Sequence, residues 1–145
     1  MFTFATDYFI LVFVASLGVI QIAASMGRLN GLLVFKSPLS ARALGVVLVV
    51  GAFIFFFSTD TRNINDYEGG LDAPTQALFF FFGAGAAVVT TVLLSSLVNM
   101  RMSGEPSPEG GLDALRDTNY VRALSCSLGY WWKNWRTQTE KYFFG

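Results

Sequence analysis

Uncharged apolar residues fill three long stretches of the chain, and most of the polar residues lie between or after them. Residues 8–26 (YFILVFVASLGVIQIAASM) hold no charge and have about the length a helix needs to cross roughly 30 Å of hydrocarbon. Residues 43–58 (ALGVVLVVGAFIFFFS) form a shorter run, which spans if the helix stands nearly upright and Arg42 extends its side chain to the surface. Residues 77–98 (ALFFFFGAGAAVVTTVLLSSLV) are comfortably long. The pattern predicts an all-α integral membrane protein with three transmembrane helices in residues 1–102. The start, MFTFATD, has no basic segment before the first apolar run, so that run reads as a retained span.

The charges between the runs predict an orientation. Arg28, Lys36 and Arg42 lie between the first two runs with no acidic residue among them. Asp60, Asp66, Glu68 and Asp72 lie between the second and third, against Arg62 alone. Lysine and arginine favour the cytoplasmic side, so the first loop is expected inside and the loop at 59–76 outside. The N-terminus is then external and the C-terminus cytoplasmic, with the cell (inner) membrane as the expected location.

The external loop therefore caps a hairpin, with phenylalanine collars at 55–57 and 79–82 on the same face. Gly69-Gly70 permits a tight reversal, and Asp72 before Ala73-Pro74 reads as a helix N-cap with proline in the first turn. Arg62, Asn63, Asn65, Asp66 and Glu68 are more polar side chains than a turn requires, which makes them candidates for contact with another subunit. Asn63, Asn65 and Tyr67 do not supply the alternating oxygens of a calcium loop, and no metal is expected.

Inside the runs no Asp, Glu, Lys or Arg stands away from an end, which argues against proton relays, ion-coupled transport and voltage sensing by this chain alone. Gln21 is the costliest polar group, and it is expected to bond another helix. Gly83, Ala87, Thr91 and Ser95 recur every fourth residue, a stripe of small side chains that lets helix backbones approach. The stripe is expected to pack within the chain against the first run, with contact to another chain as the alternative, and Gly18 and Gly45 or Gly51 are the small positions that could oppose it. Gln21 and this stripe are the predicted helix-packing residues.

The last third differs in character. SGEPSPEGG, within 103–111, has the composition of a flexible linker. Leu112, Leu115, Val121, Leu124 and Leu128 mark an apolar side at helical spacing, predicting an amphipathic helix that ends near Gly129. YWWKNWRTQTEKYFFG follows, so residues 112–145 are expected to form a cytoplasmic amphipathic helix and an aromatic tail. All three tryptophans, Trp131, Trp132 and Trp135, lie there with Lys133, Arg136 and Lys141 among them. Two readings stand for this tail: it rests on the anionic inner leaflet, or its aromatics and Arg136 dock in a partner's groove. Cys126 reads as a small buried residue, with palmitoylation as the alternative.

Composition narrows the chemistry further. Hydrophobic residues make up 53% of the 145 and charged residues 14%, half the usual share of charge. Zero net charge gives no basic surface for nucleic acid. With no histidine and one cysteine, histidine haem ligation, Cys/His zinc sites, Ser-His-Asp triads and intrachain disulfides are excluded, and no cofactor is expected. The function expected is that of a non-catalytic small subunit that scaffolds or stabilises a larger membrane complex, its partners being other integral membrane subunits and the bilayer. Respiratory and photosynthetic assemblies contain small subunits of this kind, an analogy only. The alternatives are a homo-oligomeric pore or carrier lined by Thr90, Thr91 and Ser95, and an enzyme using Asp66 and Glu68 as acid and base on a lipid or glycan.

Overall fold

The structure, a computed structural model, describes residues 4–59, 71–102, 104 and 111–144. Among these it holds four α-helices and two short 3-10 turns, with no strand. Helix α1 is Phe4–Met26, α2 is Pro38–Thr59, α3 is Ala73–Val98 and α4 is Tyr120–Phe144. The first three are long and apolar enough to cross a membrane, with mean hydropathy of 2.2 to 2.3. Each begins before its charge-free run, at Phe4, Pro38 and Ala73. Asp7 thus falls in the first turn of α1, and Arg42 lies within α2.

Helix α1 packs against both α2 and α3, whereas α2 and α3 lie mainly against α1 rather than each other. Two close approaches make this possible. A methyl group added at Gly18 would sit 2.5 Å from the Gly45 carbonyl oxygen, and one added at Gly45 would sit 2.6 Å from the Gly18 oxygen. Only glycine at both positions lets the two backbones touch. Gly18 and Gly45, expected as small positions opposite the α3 stripe, therefore meet each other instead, while Gly51 faces open space. On the other side of α1, Gly83 opposes Val12 and the Phe9 carbonyl, and Ala87, Thr91 and Ser95 continue the buried seam.

Local chemistry explains the helix ends. Helix α1 stops where Arg28 takes a left-handed φ of 56°, and the Leu29 N–H donates to the Ala24 oxygen at 2.9 Å, closing the last turn. Arg42, although exposed, reaches back from α2 and donates through Nε to Ser25 Oγ at 2.9 Å, placing a cation at the carbonyl end of α1. Helix α3 begins at Ala73 after Asp72 with proline in its first turn, as the sequence suggests, but the Asp72 side chain makes no capping bond.

The C-terminal part differs from the expected outline. A 3-10 turn, Gly111–Arg116, and a break precede α4, so the helix does not begin at Leu112. Asn119 caps it, accepting the Arg122 N–H at Oδ1 at 2.8 Å. Nor does α4 end near Gly129: it runs through that residue to Phe144, because Gly129 is exposed and its backbone stays helical at only a modest propensity cost.

Candidate functional site

At one end of the bundle the α1–α2 connection, a 3-10 turn Asn30–Leu32 followed by Leu33 and Val34, is gripped by two buried amides. Gln21 Oε1 accepts the Val34 N–H at 3.0 Å, and its Nε2 donates to the Leu32 oxygen at 3.3 Å. Asn99, at the end of α3, donates through Nδ2 to the Leu33 oxygen at 2.8 Å and lies 3.4 Å from the Gly31 oxygen. Gln21 therefore finds its partner on the connecting backbone and not, as expected, on another helix. The physical reason is proximity: an irregular turn beside it has unpaired backbone groups, whereas the neighbouring helices have spent theirs internally. Asn99 was not singled out from sequence, yet it is the next member of the series Gly83, Ala87, Thr91, Ser95, and all five are buried.

The same turn carries the C-terminal part. Asn30 Nδ2 donates to the Arg116 oxygen at 3.1 Å, and Gly31 lies so close to the Thr118 carbonyl that no side chain fits between them. Leu115 and Thr118 are buried there, and Arg122 donates to the Met102 oxygen at 3.3 Å. The root of α4 is thus fastened to the end of α3 through two glutamine- and asparagine-bonded layers of backbone. Ala24, Leu33 and Ala41 fill the apolar space beside the clamp.

Along the bundle, the splay of α2 from α3 leaves a groove of about 530 Å3 over one face of α1. Its floor is Leu11, Val12, Ala15, Ser16, Val19 and Ile20, and its walls are Val49 and Phe53 of α2 and Phe80, Ala84 and Val88 of α3. Tyr8 closes one end and shares a smaller hollow with Gln76 and Phe80. The floor is built largely of small side chains at its centre, with larger ones at the rim.

The predicted packing residues Gln21, Gly83, Ala87, Thr91 and Ser95 are all buried at contacts within the chain. Thr91 and Ser95 are buried, and Thr90 is half-buried beside them. Trp131, Trp132, Trp135 and Arg136 are exposed on α4, with the Trp131 and Trp135 rings stacked at 5.9 Å. Arg62, Asn63, Asn65, Asp66 and Glu68 lie outside the described residues. Asp7, which sequence reasoning passed over, is buried near the other end of the bundle, where Phe56 packs edge-on against Phe4 and Tyr8. Its signal was its place 11, 14 and 18 residues before Gly18, Gln21 and Ser25, spacings that put all four on the face α1 turns inward. Comparison with known protein families, with characterised proteins and with solved structures finds no match to this chain.

Proposed function

We propose that this chain is a non-catalytic membrane subunit that scaffolds or stabilises a larger complex by accepting a transmembrane helix of another subunit between α2 and α3. The observation that carries the reading is the groove over α1. Three helices joined mainly through the central one form an open layer, and the open side is long, apolar and centred on Ala15, Ser16 and Ala84. Helices associate in lipid through close backbone approach over small residues, so such a floor flanked by valine and phenylalanine ridges suits a helix better than a smooth lipid-facing surface would. The clamp at the bundle end supports a structural role, since its polar groups are used in holding backbone. In this reading the chain spans three times, with the α1–α2 connection and α4 cytoplasmic and the 59–76 loop external, following the charge asymmetry of the loops.

The test is purification from native membranes in mild detergent followed by native mass spectrometry. The wild-type chain should carry at least one other integral membrane protein. Ala15→Phe and Ala84→Phe, which fill the groove, should release it, whereas Val46→Phe on an exposed face of α2 should not. A wild-type chain that purifies alone overturns the proposal. A closed ring of identical copies favours a pore, and a partner retained by both groove variants moves the contact elsewhere.

A further inference from the structure

We infer that α4 is an amphipathic helix lying in the interface of an anionic bilayer, with its tryptophan stripe turned into the acyl boundary. The inference is independent of the groove and its occupant. Val121, Leu124, Leu128, Trp131, Trp132 and Trp135 fall on one side of the helix, within an arc of about 100° at 3.6 residues per turn. All six are exposed, at 44 to 62%. The stripe exists only because the helix runs unbroken through Gly129, joining the leucine positions of its first half to the tryptophans of its second.

Charge complementarity identifies the occupant. Helix α4 carries Arg122, Lys133, Arg136 and Lys141 against Glu140 alone. Arg122, Lys133 and Arg136 fall along one flank of the stripe on the same helical projection. Aromatic and leucine side chains on one face with basic residues beside them match the interface of a bilayer containing acidic phospholipid: rings at the headgroup boundary, cations among phosphates. A purely apolar protein groove would draw no benefit from the excess of cations on this helix. The attachment sets the depth. Arg122 bonds the Met102 carbonyl, four residues beyond the end of α3 at Val98, so α4 starts level with the end of a membrane-length helix. Its packing partners are α3 and the preceding 3-10 turn, which hold its root. Tethering at that depth lets modest affinity suffice, because the surface is already at hand.

The three tryptophans of the protein all lie on this stripe, so intrinsic tryptophan fluorescence of the full chain reports on α4 alone. The experiment places the full-length protein, one copy per disc, in nanodiscs of phosphatidylcholine with increasing phosphatidylglycerol. With phosphatidylglycerol, emission should shift to the blue, acrylamide quenching should fall, and lipids brominated near the top of the acyl chain should quench. Lys133→Gln/Arg136→Gln leaves the Arg122 anchor in place and should weaken docking about twenty-five-fold, at roughly fivefold per cation near an anionic surface. That loss reads as a higher phosphatidylglycerol content at the midpoint, with circular dichroism unchanged. Wild-type tryptophans that stay open to acrylamide and untouched by brominated lipid at every composition overturn the inference, and the wild-type result stands even if the variant misfolds. Protection that appears only in discs holding two copies, or only after another protein is added, also overturns it and assigns the stripe to that contact.

Discussion

Replacing Gln21 by leucine tests whether the amide clamp holds the bundle end together. Gln21 is 2% exposed and makes two bonds to the turn, at 3.0 and 3.3 Å. Each such bond contributes about 1 kcal/mol net, and a buried backbone group left without its partner costs about 1 to 3 kcal/mol. Leucine keeps most of the volume and removes the cost of burying an amide, which offsets part of the loss. The expected destabilisation is about 2 to 3 kcal/mol. Asn99→Leu removes the 2.8 Å bond to the Leu33 oxygen and should cost about 2 kcal/mol. The two amides grip overlapping backbone, Gly31 to Val34, so once one lets go the turn frays and the other has less to hold. The double variant should therefore lose about 1 kcal/mol less than the sum of the singles. Reversible unfolding by sodium dodecyl sulfate in mixed micelles, followed by circular dichroism, gives all four free energies. Single costs below about 0.5 kcal/mol, or strict additivity, would refute the clamp, since neither fits two amides sharing one buried segment.

The same assay separates two glycines of similar sequence context: Gly18→Ala should destabilise by about 1 to 3 kcal/mol through overpacking against the Gly45 carbonyl, whereas Gly51→Ala, in open space, should be neutral or stabilise by up to about 1 kcal/mol. Equal effects at both would show that the α1–α2 crossing is not set there. The Thr91 hydroxyl is buried and has no hydrogen-bond partner among the described residues, so Thr91→Val should leave stability unchanged or raise it by up to about 1 kcal/mol; a clear loss would mean the hydroxyl is bonded. For orientation, single cysteines at Asn65 and at Ser107 in a Cys126→Ser background should react with an impermeant reagent from opposite sides of sealed membranes, Asn65 from outside. Reaction of both from one side would rule out three spans between them and the N-terminus.

The membrane-length helices were legible in the sequence because their signal is one-dimensional: long runs of residues without charge can be counted along the chain. The stripe Gly83, Ala87, Thr91, Ser95 was legible for a related reason, since helix periodicity alone puts those residues on one line. That the stripe packs against the first helix was also expected from sequence, and Gly83 does meet Val12 there, but the register of the helix contacts was not legible. Gly18 meeting Gly45 and not Gly51, and Val12 filling the space before Gly83, depend on where two axes cross, and single-chain periodicity carries no register between helices. Gln21 shows the limit most plainly. Its burial cost was readable from its type and place, yet the partner was a turn whose backbone groups become available only once α1 and α2 have packed. Asn99 and Asn30 join segments 66 to 86 residues apart, and nothing local marks such pairs. Gly129 was read as a stop from its propensity, but about 1 kcal/mol at one exposed site does not end a helix whose neighbours on both sides favour it. Sequence alone therefore determined which segments are apolar, how long they are and which side of each carries small residues. The folded chain decided which of those sides meet, because contact between distant residues is set by the geometry of whole helices and not by the order of residues within one.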